Sequence, residues 1–162
     1  MIMIHLVEFI FQRNRNFNYL EKNMAQIVQD LLEASAFELA REAVKVLVEN
    51  KGQNITLYHV SDLTSVTDYY INATGSSSTQ VAALADLLDE KLSLRGRSPL
   101  RIEGRSANAW LLVDYGDVIV NIFDRESRDF YDVDRLYPSS ARRDVASIIA
   151  EVDEKFEIEM KF

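Results

Sequence analysis

Asp68-Tyr-Tyr-Ile-Asn-Ala-Thr74, followed by Gly75-Ser-Ser-Ser-Thr79 and then Gln80-Val-Ala-Ala-Leu-Ala-Asp-Leu-Leu88, is the stretch that decides the fold. The first seven residues are rich in β-formers and predict a strand. Gly and Ser then turn the chain, and Val81, Leu84, Ala85, Leu88 and Leu92 fall on one apolar helix face. Ser77 with Gln80 three residues later has the form of a capping box, in which each side chain satisfies an orphan backbone N–H. A strand, a tight turn and a helix in that order point to a layered α/β protein.

Upstream, Ile27, Leu31, Leu39, Ala43 and Leu47 recur at helical spacing and predict helix from Met24 to Asn50. Ser35 with Glu38 forms another capping box, so a break near Ser35 is expected. Gly52 is expected to close this helix as a C-cap at positive φ. Residues 54–60 predict a strand before the one at 68–74. Downstream, the helix stops at Arg95-Gly96, and Leu100 to Glu103, Ala109 to Asp114 and Val118 to Phe123 read as strands. Tyr115-Gly116-Asp117 joins the last two as a hairpin, where Gly supplies the positive φ of a tight turn. From Ser140 onward Val145, Ile148, Ile149, Val152 and Phe156 mark a terminal helix able to pack on the body or on a second copy. The sum is a mixed sheet of about five strands flanked by helices.

The chain divides into residues 1–23, a body at 24–138, and a helical tail at 139–162. The opening run from Met1 to Phe11 is apolar but is interrupted by His5 and Glu8, and Arg13 and Arg15 follow rather than precede it. It fits neither a signal peptide nor a span of roughly 20 apolar residues. With Met24 opening the helical pattern, residues 1–23 read as an upstream extension, with translation starting naturally at Met24.

Composition narrows the chemistry. The 162 residues are 48% hydrophobic and 27% charged, ordinary for a folded domain. There is no cysteine, which excludes disulfides, thiolate metal sites and a Cys nucleophile, and a cytoplasmic location fits. The net charge of −8 argues against gripping a nucleic-acid backbone and for a basic protein partner. No membrane contact is expected.

Enzymatic signals are few. His59 stands at a strand end with no Cys or second His beside it, so a structural or surface role is expected. The Gly75–Thr79 turn before a helix could attract an anion, and nucleotide binding there is the alternative reading. It lacks a P-loop lysine and three spaced glycines, so serine capping explains most of it. A nucleotidyltransferase would place two carboxylates on the strand that follows, but Arg101-Ile-Glu103 stands there. Asp132-Val-Asp134 has suitable spacing but follows the sheet, and Asp114 and Asp117 straddle a turn. No catalytic residue, cofactor or metal site is expected. Trp110, the only tryptophan, and Tyr69 and Tyr70 are either core residues or interface anchors.

Thr67 to Val81, then Ile102-Glu-Gly104 with Trp110-Leu-Leu-Val-Asp-Tyr-Gly-Asp-Val-Ile-Val120, and then Arg128-Asp-Phe-Tyr131 with Arg135-Leu136 together resemble the Iojap family of ribosomal silencing factors. The resemblance covers about residues 36–140. It implies a nucleotidyltransferase-like fold without the catalytic carboxylates, and often a homodimer. It implies binding to the large ribosomal subunit through its fourteenth protein, a steric block to subunit association, and lowered translation under nutrient limitation, with a further effect on large-subunit maturation. On that basis Trp110, Tyr115 and Tyr69 are the expected apolar anchors, and Asp68, Asp114 and Asp117 are expected to meet basic groups on the partner. The chain departs from the family's pattern near His59, where Asp is usual, at Asn121, where His is usual, and at Tyr137, where Trp is usual.

Overall fold

A computed structural model of the chain describes residues 30–161. The apolar run at 1–11, the start at Met24 and the helical pattern before Asp30 lie outside the described residues.

The first helix, α1 (Ala36–Glu49), starts where Ser35 and Glu38 form the expected capping box. Glu38 Oε2 accepts from Ser35 N at 2.8 Å, and Ser35 Oγ accepts from Glu38 N at 3.3 Å. The helix does not close at Gly52 as expected. Asn50 is the C-cap and Lys51 takes the positive φ of 64°. Gly52 is required for a different reason: a Cβ there would meet the Leu47 carbonyl oxygen at 2.9 Å.

The strands are β1 (Gln53–His59), β2 (Tyr69–Thr74), β3 (Arg101–Glu103), β4 (Trp110–Asp114), β5 (Val118–Phe123) and β6 (Arg142–Arg143). They form one sheet in the order β3-β4-β5-β2-β1-β6, one strand more than expected. Only β2 and β5 run parallel; the other pairs are antiparallel. The β4–β5 hairpin turns at Tyr115-Gly116-Asp117 with Gly116 at φ 90°.

Helix α2 (Ser78–Ser93) follows β2. Ser77 Oγ accepts from Gln80 N at 3.1 Å, but the Gln80 carbonyl accepts from Ser76 N rather than closing the box on Ser77. The Gln80 amide instead donates to the carbonyls of Asn50 and Lys51, tying the start of α2 to the end of α1. Gly75 is the point of closest approach, since a Cβ there would meet Val81 Cγ2 at 2.8 Å.

Four more pieces follow among the described residues: α3 (Arg125–Tyr131), a 3-10 turn at Val133–Leu136, a second short 3-10 turn at Ser139–Ala141, and α4 (Ala146–Met160). The core lies between one sheet face and the helices α1, α2 and α4. Leu39, Leu47, Leu84, Leu88 and Leu92 pack there on Leu57, Ile71, Leu111, Val113, Val120 and Ile122, with Ile148 from α4. Burying each such side chain contributes about 1.5–3 kcal/mol. The tail therefore packs on the body: Ile148 and Val152 are buried, and Glu151 pairs with Lys45 and Arg41 of α1.

Candidate partner interface

Side chains alternate along a strand, so the residues that skip the core face form a second face. On β4, Leu111 and Val113 enter the core while Trp110, Leu112 and Asp114 point the other way. Their cross-strand partners on β5 are Phe123, Asn121 and Ile119. Asn121 lies beside Asn72 of β2, and Asn72 beside Thr56 of β1, with Tyr70 beside Tyr58. This face is polar where a core would be apolar, and α3 and the 3-10 turn supply the covering layer.

Asp132, at φ 43°, ends α3 and reverses the chain into the 3-10 turn. That reversal brings Asp134 back against Arg128, with Nε 2.9 Å from Oδ2. Asp134 Oδ1 accepts from Thr56 Oγ1 at 2.6 Å, Tyr58 OH at 2.8 Å and Asn72 Nδ2 at 3.2 Å. Arg128 also donates to Thr74 Oγ1 and Thr56 Oγ1. Burial pushes the Asp134 carboxyl up, but the hydrogen bonds from Thr56, Arg128, Tyr58 and Asn72 outweigh it and hold the group at about 2. This carboxylate is an acceptor occupied by its own chain. Among the described residues no group of three or more His, Asp or Glu side chains is placed to hold an ion.

Aromatic rings edge this network. Trp110 packs on Phe123 at 4.9 Å between centroids and on Tyr131 at 5.0 Å, and Phe130 meets Tyr131 edge-on at 5.0 Å. At the other side Tyr137 lies over Tyr58 and Tyr70. Phe130 is 79% exposed and Tyr131 is 52% exposed. Beyond Trp110 on this face of β4, Leu112 and Asp114 are partly buried, so this half is less covered than the fully buried β5.

The three residues expected as apolar anchors and the three aspartates expected to meet basic groups do not share one surface. Trp110 and Asp114 are on the second face, at opposite ends of β4. Asp114 is already engaged: its Oδ2 lies 3.1 Å from Arg101 Nε, and its Oδ1 accepts from Gly116 N. Asp117 pairs with Arg97 at 2.6 Å, and its carbonyl receives the N–H groups of Asp68 and Tyr69. Asp68 is partly exposed at the entry to β2. Tyr69 lies on the core-facing side, stacked on His59 at 4.7 Å and near Phe37. Tyr115 must be corrected: it is 4% exposed within the core, so its ring has no surface to offer a partner. Burial pushes its hydroxyl far above the usual tyrosine range. His59 is held between Ser61 and Arg143.

The sequence reading missed Thr56, Asn72, Asn121, Arg128 and Asp134 as one cluster, and Phe130 and Tyr131 as its exposed margin. One signal was available. Polar residues recur on one side of strands that are otherwise apolar, as Asn72 and Thr74 do in β2 and Asn121 does within Val118-Ile-Val-Asn-Ile-Phe123.

A family model described as ribosomal silencing factor during starvation matches residues 33–161, which spans α1 to the last turn of α4. The chain belongs to the ribosomal silencing factor family. A Chromobacterium violaceum relative named ribosomal silencing factor RsfS is 38% identical over 100 residues, covering 62% of this chain and 82% of its own. A crystal structure of a Chromobacterium violaceum protein superimposes with a TM-score of 0.62 at 36% identity, over 65% of this chain and 92% of that one. A mouse relative named mitochondrial assembly of ribosomal large subunit protein 1 is 28% identical over 112 residues, covering 67% of this chain and 49% of its own. The silencing-factor match reaches past residue 138 and takes in β6 and α4. Of the three departures from the family pattern, Asn121 and Tyr137 sit on the second face, and His59 sits on the core-facing side, stacked on Tyr69.

Proposed function

We propose that this silencing factor binds the large ribosomal subunit through the open part of its second sheet face, engaging the subunit's fourteenth protein. A body seated there keeps the small subunit from joining and so lowers translation when nutrients are scarce. The observation that carries this reading is the row Phe130, Tyr131 and Trp110 beside a partly open β4. Large aromatic side chains at the edge of an open face are the residue types that dominate binding hot spots. The family membership supplies the ribosome, the mouse relative's name mentions the large subunit, and the net charge of −8 favours a basic ribosomal protein.

Inhibition by occupancy needs no turnover, so the site requires no cofactor. The location is the cytoplasm, where the subunits meet, and two copies pair as the resemblance implies. Asp68, Asp114 and Asp117 add negative potential at the hairpin end of the sheet rather than bare contacts, because Asp114 and Asp117 already hold arginines.

The test is co-sedimentation with isolated large and small subunits. The parent protein is expected with the large subunit only, and reassociation of subunits is expected to fall as it binds. Trp110→Ala is expected to weaken binding by about tenfold or more, the cost of truncating an anchor. Equal sedimentation of folded Trp110→Ala would remove this face from the reading.

A further inference from the structure

Four side chains on the second face form a continuous hydrogen-bonded line. Trp110 Nε1 donates to Asn121 Oδ1 at 3.1 Å, Asn121 Nδ2 donates to Asn72 Oδ1 at 3.1 Å, and Asn72 Nδ2 donates to Asp134 Oδ1 at 3.2 Å. The two ends set its direction. An indole can only donate, and an ionised carboxylate can only accept. If either amide turned over, it would oppose N–H to N–H on one side and oxygen to oxygen on the other. Both amide orientations are therefore dictated by the ends. Asn72 is fully buried and Asn121 is 5% exposed, so water offers no substitute partner.

Packing alone does not select the ring's orientation. Trp110 meets Phe123 and Tyr131 at interplanar angles of 31° and 47°. Aromatic contacts tolerate a range of such angles, and the χ2 torsion of an aromatic side chain is broad and roughly two-fold. The hydrogen bond to Asn121 distinguishes one side of the indole from the other.

We propose that Asp134 is a positioning residue for the interface: acting through Asn72 and Asn121, it fixes the Trp110 indole with its N–H turned inward. This rests on the proposed use of the second face for subunit binding. The partner then meets only the apolar part of the ring, and the socket that fits it is an apolar cleft with no acceptor for an indole N–H. Asp134 touches no partner in this arrangement; its effect on binding travels through the two amides.

Trp110 is the only tryptophan in the chain, so its fluorescence and its indole ¹H–¹⁵N signal report on this line without interference. Asn72→Leu cuts the middle link with little change in volume. It is expected to shift the indole signal, to speed exchange of that proton, and to weaken large-subunit binding about fivefold, the size of one lost hydrogen bond. Asp134→Asn leaves one side-chain oxygen where Arg128 and Asn72 both donate, so one donor is left facing an N–H, the end of the line is disturbed and the indole signal shifts. Ile71→Val, a core truncation on the opposite face of the same strand, is expected to change neither readout.

An unmoved indole signal in folded Asn72→Leu and folded Asp134→Asn overturns the line. So does a shift of equal size in Ile71→Val, which would make the effect general softening. A signal that moves while large-subunit binding holds at the parent level overturns the positioning role by another route, because the second face is then not the surface the subunit uses.

Discussion

Asp134→Asn is the substitution that most directly tests how the second face is held together. It keeps the shape of the side chain and removes one charge, leaving Arg128 facing a neutral amide with only 10% of its side chain exposed. The magnitude has two parts. Moving a carboxyl from its ordinary 3.8 down to about 2 is worth about 2.4 kcal/mol at 1.36 kcal/mol per pH decade. The Asp134 side chain is 24% exposed, and solvent screening reduces that figure to about 1–2 kcal/mol. Stranding the guanidinium adds to it, since breaking a buried pair costs up to about 3–5 kcal/mol and this pair is only partly buried. The sum expected is about 2–4 kcal/mol at neutral pH, a large share of the ~5–15 kcal/mol that holds a domain folded. The sign with pH follows from the direction of the shift. A lowered carboxyl contributes its full stability above the unfolded value near 4, and that contribution is lost as pH falls toward 2. Urea unfolding of parent and variant at pH 7, 5, 4 and 3 is the assay. The difference between them is expected to be constant from pH 7 to 5 and the ionisation part of it to shrink by roughly half by pH 3. Taking the difference cancels the other carboxylates common to both chains. A gap that stays flat to pH 3 would show that the network does not hold the carboxylate ionised, and would refute the reasoning.

Tyr115→Phe removes a hydroxyl that is buried without a hydrogen-bond partner among the described residues. It is expected to stabilise the protein by about 1 kcal/mol and leave subunit binding unchanged; a lower melting temperature would reveal a partner for that group. Gly104→Ala forces a Cβ onto a residue at φ 97° and against the Trp110 carbonyl oxygen. It is expected to cost at least about 1–3 kcal/mol in denaturant unfolding and to change Trp110 fluorescence, and an unchanged midpoint would count against the strand register. Phe130→Ala is expected to alter stability by no more than about 0.5 kcal/mol, because the ring is 79% exposed. It is nevertheless expected to weaken large-subunit binding about fivefold, and equal co-sedimentation would take α3 out of the interface.

Much of the layered fold was legible because its signals are local. Ser35 with Glu38 is readable three residues apart, and the hairpin is readable from Tyr115-Gly116-Asp117 alone. What escaped was set by distant partners. Helix α3 is only seven residues long with no buried side chain, so it carries no periodic stripe to read. Its place comes from Arg128, which reaches Thr74 and Thr56, 54 and 72 residues away. Strand β6 is two residues of arginine, and only its pairing with Leu57 and Tyr58 makes it a strand. The same limit applied to the candidate site. Tyr115 and Trp110 are both aromatic residues in the same hairpin, and composition gives no reason to part them. The alternation of β4 does so for Trp110, which is even with Leu112, and the turn swings Tyr115 into the core.

The arrangement of parallel and antiparallel pairs explains why one part of the second face is covered and another is free. Parallel strands normally lie buried on both sides, whereas antiparallel strands tolerate water on one side. The parallel pair here is β2 with β5, at the centre of the sheet, and every residue of β5 is buried. Helix α3 and the 3-10 turn lie over this pair, and Asp134 and Arg128 satisfy the polar groups that the covering would otherwise strand. The antiparallel strands β3 and β4 need no such cover, and Leu112 and Trp110 remain available there. On the proposed reading, a partner that completes the layer meets β4 from the side of Phe130 and Tyr131, next to the Asp134 and Arg128 network. Such a partner gains apolar contact without having to open any buried polar group, so an interface on this half costs no internal hydrogen bond, whereas one centred on Asn72 would have to displace α3.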